Sequence, residues 1–432
     1  MAKRRDRIYK KRRGKTMIKN HIVYNTFSDW RFTITGGEGP YIYDDKKRRI
    51  IDFTSGWNLA NLGWNNPEII EVIKTQADKN LYAPMWTNDP IQWEYAKALT
   101  DVLPKELDAV CRTTGGAESN EVALKIARAA TGRKKIIGFQ DTFHGQTFAE
   151  VTLGTRHEWL TALAPLLPDI IQMQCPSVFA YGDRGEYPLD VFLNDLEELL
   201  KKRDVAAIVA EAGIVTGWGK TLVAPKGFLA AIRKLTKQYG TMLILDEVGT
   251  GFSRCGKLFG LELDNVVPDI VTFAKGISNG AAAIGACVVN SRVVEPVIPS
   301  IRLVSTFGWT PVACAAAKKV LEIHLRDKVW EQAAEKGIFL MNILKEQLSD
   351  HPKVGNIRGI GMEIAVTFLK DKNAKTPDED FAKQLVARSF EKGLHIVHGG
   401  DGNIQIMPPL TTSQEVLKQG VDMLVESIQS LI

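Results

Sequence analysis

Short apolar runs alternate with amphipathic stretches along most of the chain. Residues 41–53 read as two strands around a polar turn, because Tyr41, Ile42 and Tyr43 precede the charged run 44–49 and Ile50 and Ile51 follow it. Asn66-Pro67 predicts a helix start, since proline suits the first turn, and the helix is expected over 68–79. Further helices are expected over 90–101, 118–131, 188–202, 226–239 and 312–325. In the second of these Val122, Ala123, Ile126, Ala127 and Ala130 fall on one stripe. Apolar runs at 107–112, 134–139, 206–211, 242–245, 269–273 and 281–289 read as buried strands, and 155–200 as a variable connection whose one clear element is the helix at 188–202. Strands alternating with helices predict an α/β domain with a mostly parallel central sheet between helices. From about 329 the pattern changes to helix 329–349, strands near 358–368, helix 379–392, strands 394–407 and helix 413–430. That predicts a smaller α+β C-terminal domain with its own core.

Composition adds bounds rather than a new picture. With 432 residues, 45% hydrophobic and 24% charged, the chain is expected to be a soluble globular protein of more than one domain. No apolar run reaches the ~18 residues of a spanning helix, so no membrane partner is expected. Cys111, Cys175, Cys255, Cys287 and Cys314 are scattered and include no CxxC pair. That argues against a disulfide framework or a metal site and favours a reducing, cytoplasmic setting. The net charge of +5 conceals an asymmetry: residues 1–20 carry ten Lys/Arg and one Asp, a net of +9, which leaves −4 for the rest. Residues 1–16 are read as a basic, solvated, disordered tail. A tail of this kind can bind polyanions, but no nucleic-acid partner is expected here.

Candidate chemistry collects at strand ends. Met242-Leu243-Ile244-Leu245 runs into Asp246 and Glu247, and Ile270-Val271-Thr272-Phe273 runs through Ala274 into Lys275. Ligands of open α/β sheets sit outside the carboxyl ends of the strands, so an acid and a lysine there suit a small-molecule cofactor. Pyridoxal phosphate asks for such a pair: a lysine amine for its aldehyde and a carboxylate for its ring nitrogen. A second feature is strand, Gly-rich turn (Thr114-Gly115-Gly116-Ala117), helix. Backbone N–H groups at the start of such a helix make an anion site. Phe143 follows the strand 134–139, where an aromatic either stacks on a flat ring or packs in the core. Glu211 ends a buried strand, with catalytic and structural roles both open. The run 213–221, GIVTGWGKT, imitates a phosphate-binding loop. That pattern needs glycine at 214, where Ile214 stands, so no such ATPase is expected.

The stretch LDEVGTGFSRCGKLF…PDIVTFAKG, from Leu245 to Gly276, closely resembles the cofactor-lysine region of class III (ω-type) pyridoxal-phosphate aminotransferases, which have fold type I. The resemblance implies that Lys275 forms the Schiff base and serves as general base, with Asp246 keeping the ring nitrogen protonated. It gives Gly115, Gly116 and Ala117 to the phosphate, although the family usually has serine where Gly115 stands. Phe143, with His144 and Gly145 of the FHG element, is implied to stack on the ring, opposite Val248, and Glu211 to lie near the cofactor edge. Thr306 resembles a threonine that reaches the phosphate of the partner subunit, which implies a homodimer with shared active sites. Trp57 is a candidate for the pocket wall or, equally, a buried core tryptophan. The implied organisation is an N-terminal segment (17–75) packing with the small domain, a large cofactor domain (76–325) and a small C-terminal domain (326–432).

Two departures bear on the substrate. The family often has arginine at the positions of Gln146 and Gln405, and both arginines meet substrate carboxylates. Glutamine cannot supply a bidentate charge-assisted pair. Amine donors with apolar or uncharged tails are therefore expected, with a keto acid such as pyruvate as acceptor; Arg302 and Arg358 are the candidates for its carboxylate. An aminomutase, racemase or lyase on the same fold is the alternative, and a non-enzymatic role through the basic tail is a third reading.

Overall fold

The computed structural model describes residues 18–19, 21–23, 32–176 and 186–432; the basic stretch 1–16 lies outside the described residues. Strands β1 (Ile34–Glu38), β2 (Tyr41–Asp44) and β3 (Arg49–Asp52) form an antiparallel set. Asp44 closes the turn between β2 and β3. Its carboxylate accepts from the N–H groups of Lys46 and Arg48 and pairs with the Arg48 guanidinium at 2.7 Å. Helices α1 (Pro67–Lys79) and α2 (Pro90–Asp101) both carry proline in the first turn. Asn66 and Asp89 cap them by accepting from free N–H groups, the arrangement that helix starts favour.

The large domain is built on seven strands: β4 (Ala109–Thr113), β5 (Lys135–Phe139), β6 (Ile170–Met173), β7 (Val205–Glu211), β8 (Met242–Asp246), β9 (Ile270–Phe273) and β10 (Gly285–Val289). Their order is β4-β10-β9-β8-β7-β5-β6. Only β10 runs against its neighbours, so the sheet is mostly parallel. Every residue of β7, β9 and β10 is buried, as continuous apolar runs covered on both faces require. The helices of this domain are α3 (Gly116–Thr131), α4 (Phe148–Gly154), α5 (Leu189–Leu200), α6 (Phe228–Tyr239) and α7 (Pro311–Arg326). One expectation is corrected here. The connection 155–200 contains a strand as well as a helix: β6 extends the sheet by parallel pairing with β5. Four residues, three of them only half-buried, carry too little pattern to stand out.

The C-terminal part holds α8 (Val329–Leu348), β11 (Val354–Ile360), β12 (Glu363–Asp371), α9 (Glu379–Glu391), β13 (Leu394–His395), β14 (Val397–His398), β15 (Asn403–Ile406) and α10 (Gln414–Gln429). Its antiparallel sheet has the order β11-β12-β15-β14. Strand β13 leaves that sheet and pairs in parallel with β3, so the N-terminal set is completed by the far end of the chain. Arg254, fully buried after β8, ties the parts together. It donates to the carbonyls of Met362 and Pro408 and to the side chains of Ser55 and Asn61 at 2.7–3.2 Å. The two terminal nitrogens of this buried guanidinium fix geometry because losing their partners would be costly.

Candidate active site

Parallel register brings several strand ends to one edge of the sheet. Asp246, the last residue of β8, lies beside Glu211 of β7 and Thr272 of β9. Its carboxylate is 2% exposed and accepts from three donors: His144 Nδ1 at 2.7 Å, Asn120 Nδ2 at 2.9 Å and Val248 N at 2.8 Å. A carboxylate only accepts, so Nδ1 of His144 carries the proton in that contact. Burial works against protonation of His144, but the Asp246 hydrogen bond and charge outweigh it and hold its pKa above the ordinary value. Asn120 completes the cradle: its amide also donates to the His144 carbonyl at 2.8 Å and its oxygen accepts from Thr272 at 2.7 Å. Glu247, the next residue, has a different task. It accepts from the N–H groups of Gly260 and Leu261 and so holds the short helical turn Gly260–Leu263 between β8 and β9.

Lys275 follows β9 at the start of a short turn, in the left-handed region at φ 47°. A non-glycine residue there is held by its surroundings. Among the described residues its amine has no hydrogen-bond or ion-pair partner. It projects into a cavity of about 490 Å³ that Phe143, His144, Gly145, Gln146, Val248 and the turn 114–117 also line. At one end of this cavity α3 begins at Gly116, so the first free N–H groups of the helix face it. Gly145 must be small here, since a Cβ would stand 2.7 Å from that of Ala117, and its φ of 148° adds to the constraint. Gly116 lies against Val248, with 3.1 Å left for a Cβ.

The expected residues are thus only partly gathered. Gly115, Gly116, Ala117, Phe143, His144, Gly145, Gln146, Val248 and Lys275 line one cavity, with Asp246 held behind His144 and Val248. Glu211 is buried and accepts from Phe143 N at 3.2 Å and from Thr216 N and Oγ1 at 2.7 Å, so it supports the segment that carries Phe143. Thr306 is exposed and lines an adjoining groove with the turn 114–117. Trp57 and Gln405 do not line the cavity. Trp57 sits half-buried in a left-handed turn at φ 70°. Gln405 is fully buried, and its amide donates to Thr216 O at 3.3 Å, Thr221 Oγ1 at 3.0 Å and Glu363 Oε1 at 3.1 Å. Arg358 does not reach the cavity either: it donates to the carbonyls of Lys220 and Thr221 and to Asn403 and Thr367. Arg302 is exposed at the end of a short helical turn. Asn120 escaped the sequence reading because an asparagine inside an amphipathic helix resembles any other polar position. Its one signal is its place at helical spacing from the apolar Ala123, Leu124 and Ala127, all buried.

Behind Gly145 lies Glu150, buried in the first turn of α4, with Oε1 unpartnered and Oε2 accepting from Thr147. Burial, helped by the charge of Glu121, raises its pKa to about 7. An acid raised on folding costs stability as the pH climbs from its unfolded value of 4.5 through about 7. Glu150→Gln is therefore expected to raise the melting temperature at pH 8 and leave it unchanged at pH 5. Thermal melts at the two pH values check this.

The donor set suits pyridoxal phosphate. The amine of Lys275 is unengaged, a carboxylate held by three donors stands nearby, an aromatic and a valine lie on the cavity wall, and a helix start offers N–H groups to an anion. The comparisons agree. The family model Aminotransferase class-III matches residues 24–428. An acetylornithine aminotransferase of Methanopyrus kandleri is 32% identical over 407 residues, covering 94% of this chain and 96% of that protein. An alanine/serine racemase of Pyrococcus horikoshii is 29% identical, covering 92% and 85%. Among solved structures, an amine transaminase from an uncultivated Pseudomonas species, in its pyridoxal-phosphate-bound form, superposes with a TM-score of 0.89 at 25% identity, covering 96% of this chain and all of that one. A match of this extent, on a site of this chemistry, places the chain in the class III aminotransferase family, whose cofactor is pyridoxal phosphate.

Proposed function

We propose that the chain moves amino groups from amines with apolar or uncharged tails to a keto acid such as pyruvate. One observation carries this reading: no arginine is among the described residues that line the cavity around Lys275, whereas Leu59, Phe143, Ala282, Ala283 and Ile284 are. Gln146 offers an amide there, and an amide cannot form the bidentate charged clamp that a substrate carboxylate rewards.

Bound pyridoxal phosphate supplies an electron sink for the substrate carbon that loses a proton. Lys275 Nζ would anchor it and, when free, would move that proton as general base. Asp246 would keep a proton on the ring nitrogen, and His144 and Asn120 hold Asp246 in place. Gly115, Gly116 and Ala117 would meet the phosphate through backbone N–H groups. Phe143 and Val248, both on the cavity wall, would pack against the ring. Glu211 acts through the backbone of Phe143 rather than on the substrate.

Thr306 of a partner subunit would complete the phosphate site in a homodimer. The support is an exposed apolar surface: Trp86 (80% exposed), Leu81, Trp93, Val304 and Phe307, with Tyr82 and Phe307 in ring contact at 6.2 Å. A patch of this kind usually marks an interface. Five free cysteines suit a cytoplasmic setting, and no helix among the described residues is long and apolar enough to cross a membrane. A racemase on the same scaffold is the second reading, favoured by the Pyrococcus relative. Amine-donor assays with pyruvate decide among these. Keto product from arylalkyl or alkyl amines that depends on added acceptor is expected. A clear preference for ornithine with 2-oxoglutarate, or product without any acceptor, would refute the proposal.

A further inference from the structure

The run 213–221 that imitates a phosphate loop has another use. With Leu222 and Val223 it forms a short hairpin and a turn between β7 and α6, and its penultimate residue, Lys220, is 2% exposed. The ammonium of Lys220 lies 2.9 Å from Asp141 Oδ1 and 2.6 Å from Asp401 Oδ2. Asp141 belongs to the large domain, two residues before Phe143; Asp401 belongs to the small domain, in the turn between β14 and β15. Asp141 is fully buried, left-handed at φ 67°, and also pairs with Arg156 at 3.0 Å. Its carboxylate therefore fixes the direction in which the chain leaves β5 toward Phe143 and His144. Trp159 lies over Lys220, with its ring centre 5.9 Å from the ammonium.

The same loop is packed tightly on both sides. A Cβ on Gly217 would stand 2.6 Å from the backbone nitrogen of Phe143, and a Cβ on Gly399 of the small domain would overlap the carbonyl of Gly219. Arg358 fastens the carbonyls of Lys220 and Thr221 to the small-domain sheet. Glu211 accepts from both Phe143 N and Thr216 N, so the loop and the Phe143 segment share one carboxylate. A buried ammonium between two carboxylates is a poor source of stability, because desolvation offsets most of the attraction, but it fixes the relative placement of what it joins.

We propose that Lys220 is a positioning residue. By gripping Asp141 on one side and Asp401 on the other, it sets the Phe143–His144 segment against the cofactor and couples the small domain to that segment. The inference rests on the reading of Phe143 and His144 as the ring contacts. Lys220→Met keeps the stem and removes the charge. In the holoenzyme it is expected to weaken the circular dichroism of the bound cofactor's visible band. It should also slow the amine half-reaction by on the order of 10–100-fold, the scale at which small misplacements cost rate. Asp401→Asn, at a partly exposed turn, is expected to shift both readouts in the same direction by less. It carries the test alone if Lys220→Met does not fold. Variants that melt earlier but keep the parental dichroism and rate would overturn the proposal, and so would a silent Asp401→Asn. Failure of the functional reading would look different, since the parent protein itself would then show no visible cofactor band.

Discussion

Lys275→Ala is expected to lower amine transfer by about 10⁴-fold or more, because one atom serves twice. A positioned general base contributes about 10²–10⁴-fold by itself. The same nitrogen is also the covalent anchor, and its loss removes nucleophilic catalysis of each exchange. The geometry leaves no substitute. Among the described residues, the cavity around Lys275 is lined by no other lysine, and the nearby acids are engaged: Asp246 by three donors and Glu211 by the Phe143 and Thr216 backbone. Steady-state rates with a reactive amine and pyruvate, on variant reloaded with cofactor, check the magnitude. Partial recovery by added small amines would assign the loss to the missing nitrogen rather than to misfolding. Parental turnover by Lys275→Ala would contradict the account.

Asp246→Asn should be the next most damaging change, with a loss of about 10²–10³-fold, the usual cost of removing a preorganised electrostatic partner from a site. The asparagine keeps the size but not the charge that holds a proton on the ring nitrogen. It also unbalances the cradle: Asn120 and His144 both donate to Asp246 Oδ2, and an amide nitrogen or a neutral oxygen meets them less well. A stability signature accompanies the rate loss. Because folding raises the pKa of His144, its pair with Asp246 contributes stability fully below the ordinary histidine value of 6.5. That contribution fades as the pH rises through the raised value. The gap in melting temperature between parent and Asp246→Asn, both without cofactor, is therefore expected to be widest near pH 5.5 and to narrow toward pH 9. A gap that widens with pH would mean that the His144–Asp246 pair is not charged in the way the geometry requires.

The sequence makes local features legible and leaves distant ones hidden. Helix starts at Pro67 and Pro90 can be read because proline and its capping neighbour act within four residues. The acid at 246 and the lysine at 275 can be read because a buried parallel strand is a continuous apolar run with a polar end. What joins them cannot be read in the same way. Asn120 reaches Asp246 across 126 positions, and Gln405 reaches Thr216 across 189. Such contacts leave no periodicity in either segment. The placement of Gln405 among Thr216, Thr221 and Glu363, away from the cavity, depends on an acid at 363 that sits in an ordinary strand pattern. The left-handed turns at Trp57 and Lys275 are likewise imposed by packing, since neither residue type favours them.

The central claim is a covalent one and has a direct measurement. The purified protein, incubated with pyridoxal phosphate, would be reduced with borohydride, digested and mapped by mass spectrometry. The account predicts a single cofactor adduct on the peptide that contains Lys275. An adduct on a different lysine, or no adduct on a protein that nevertheless transfers amino groups, would contradict it.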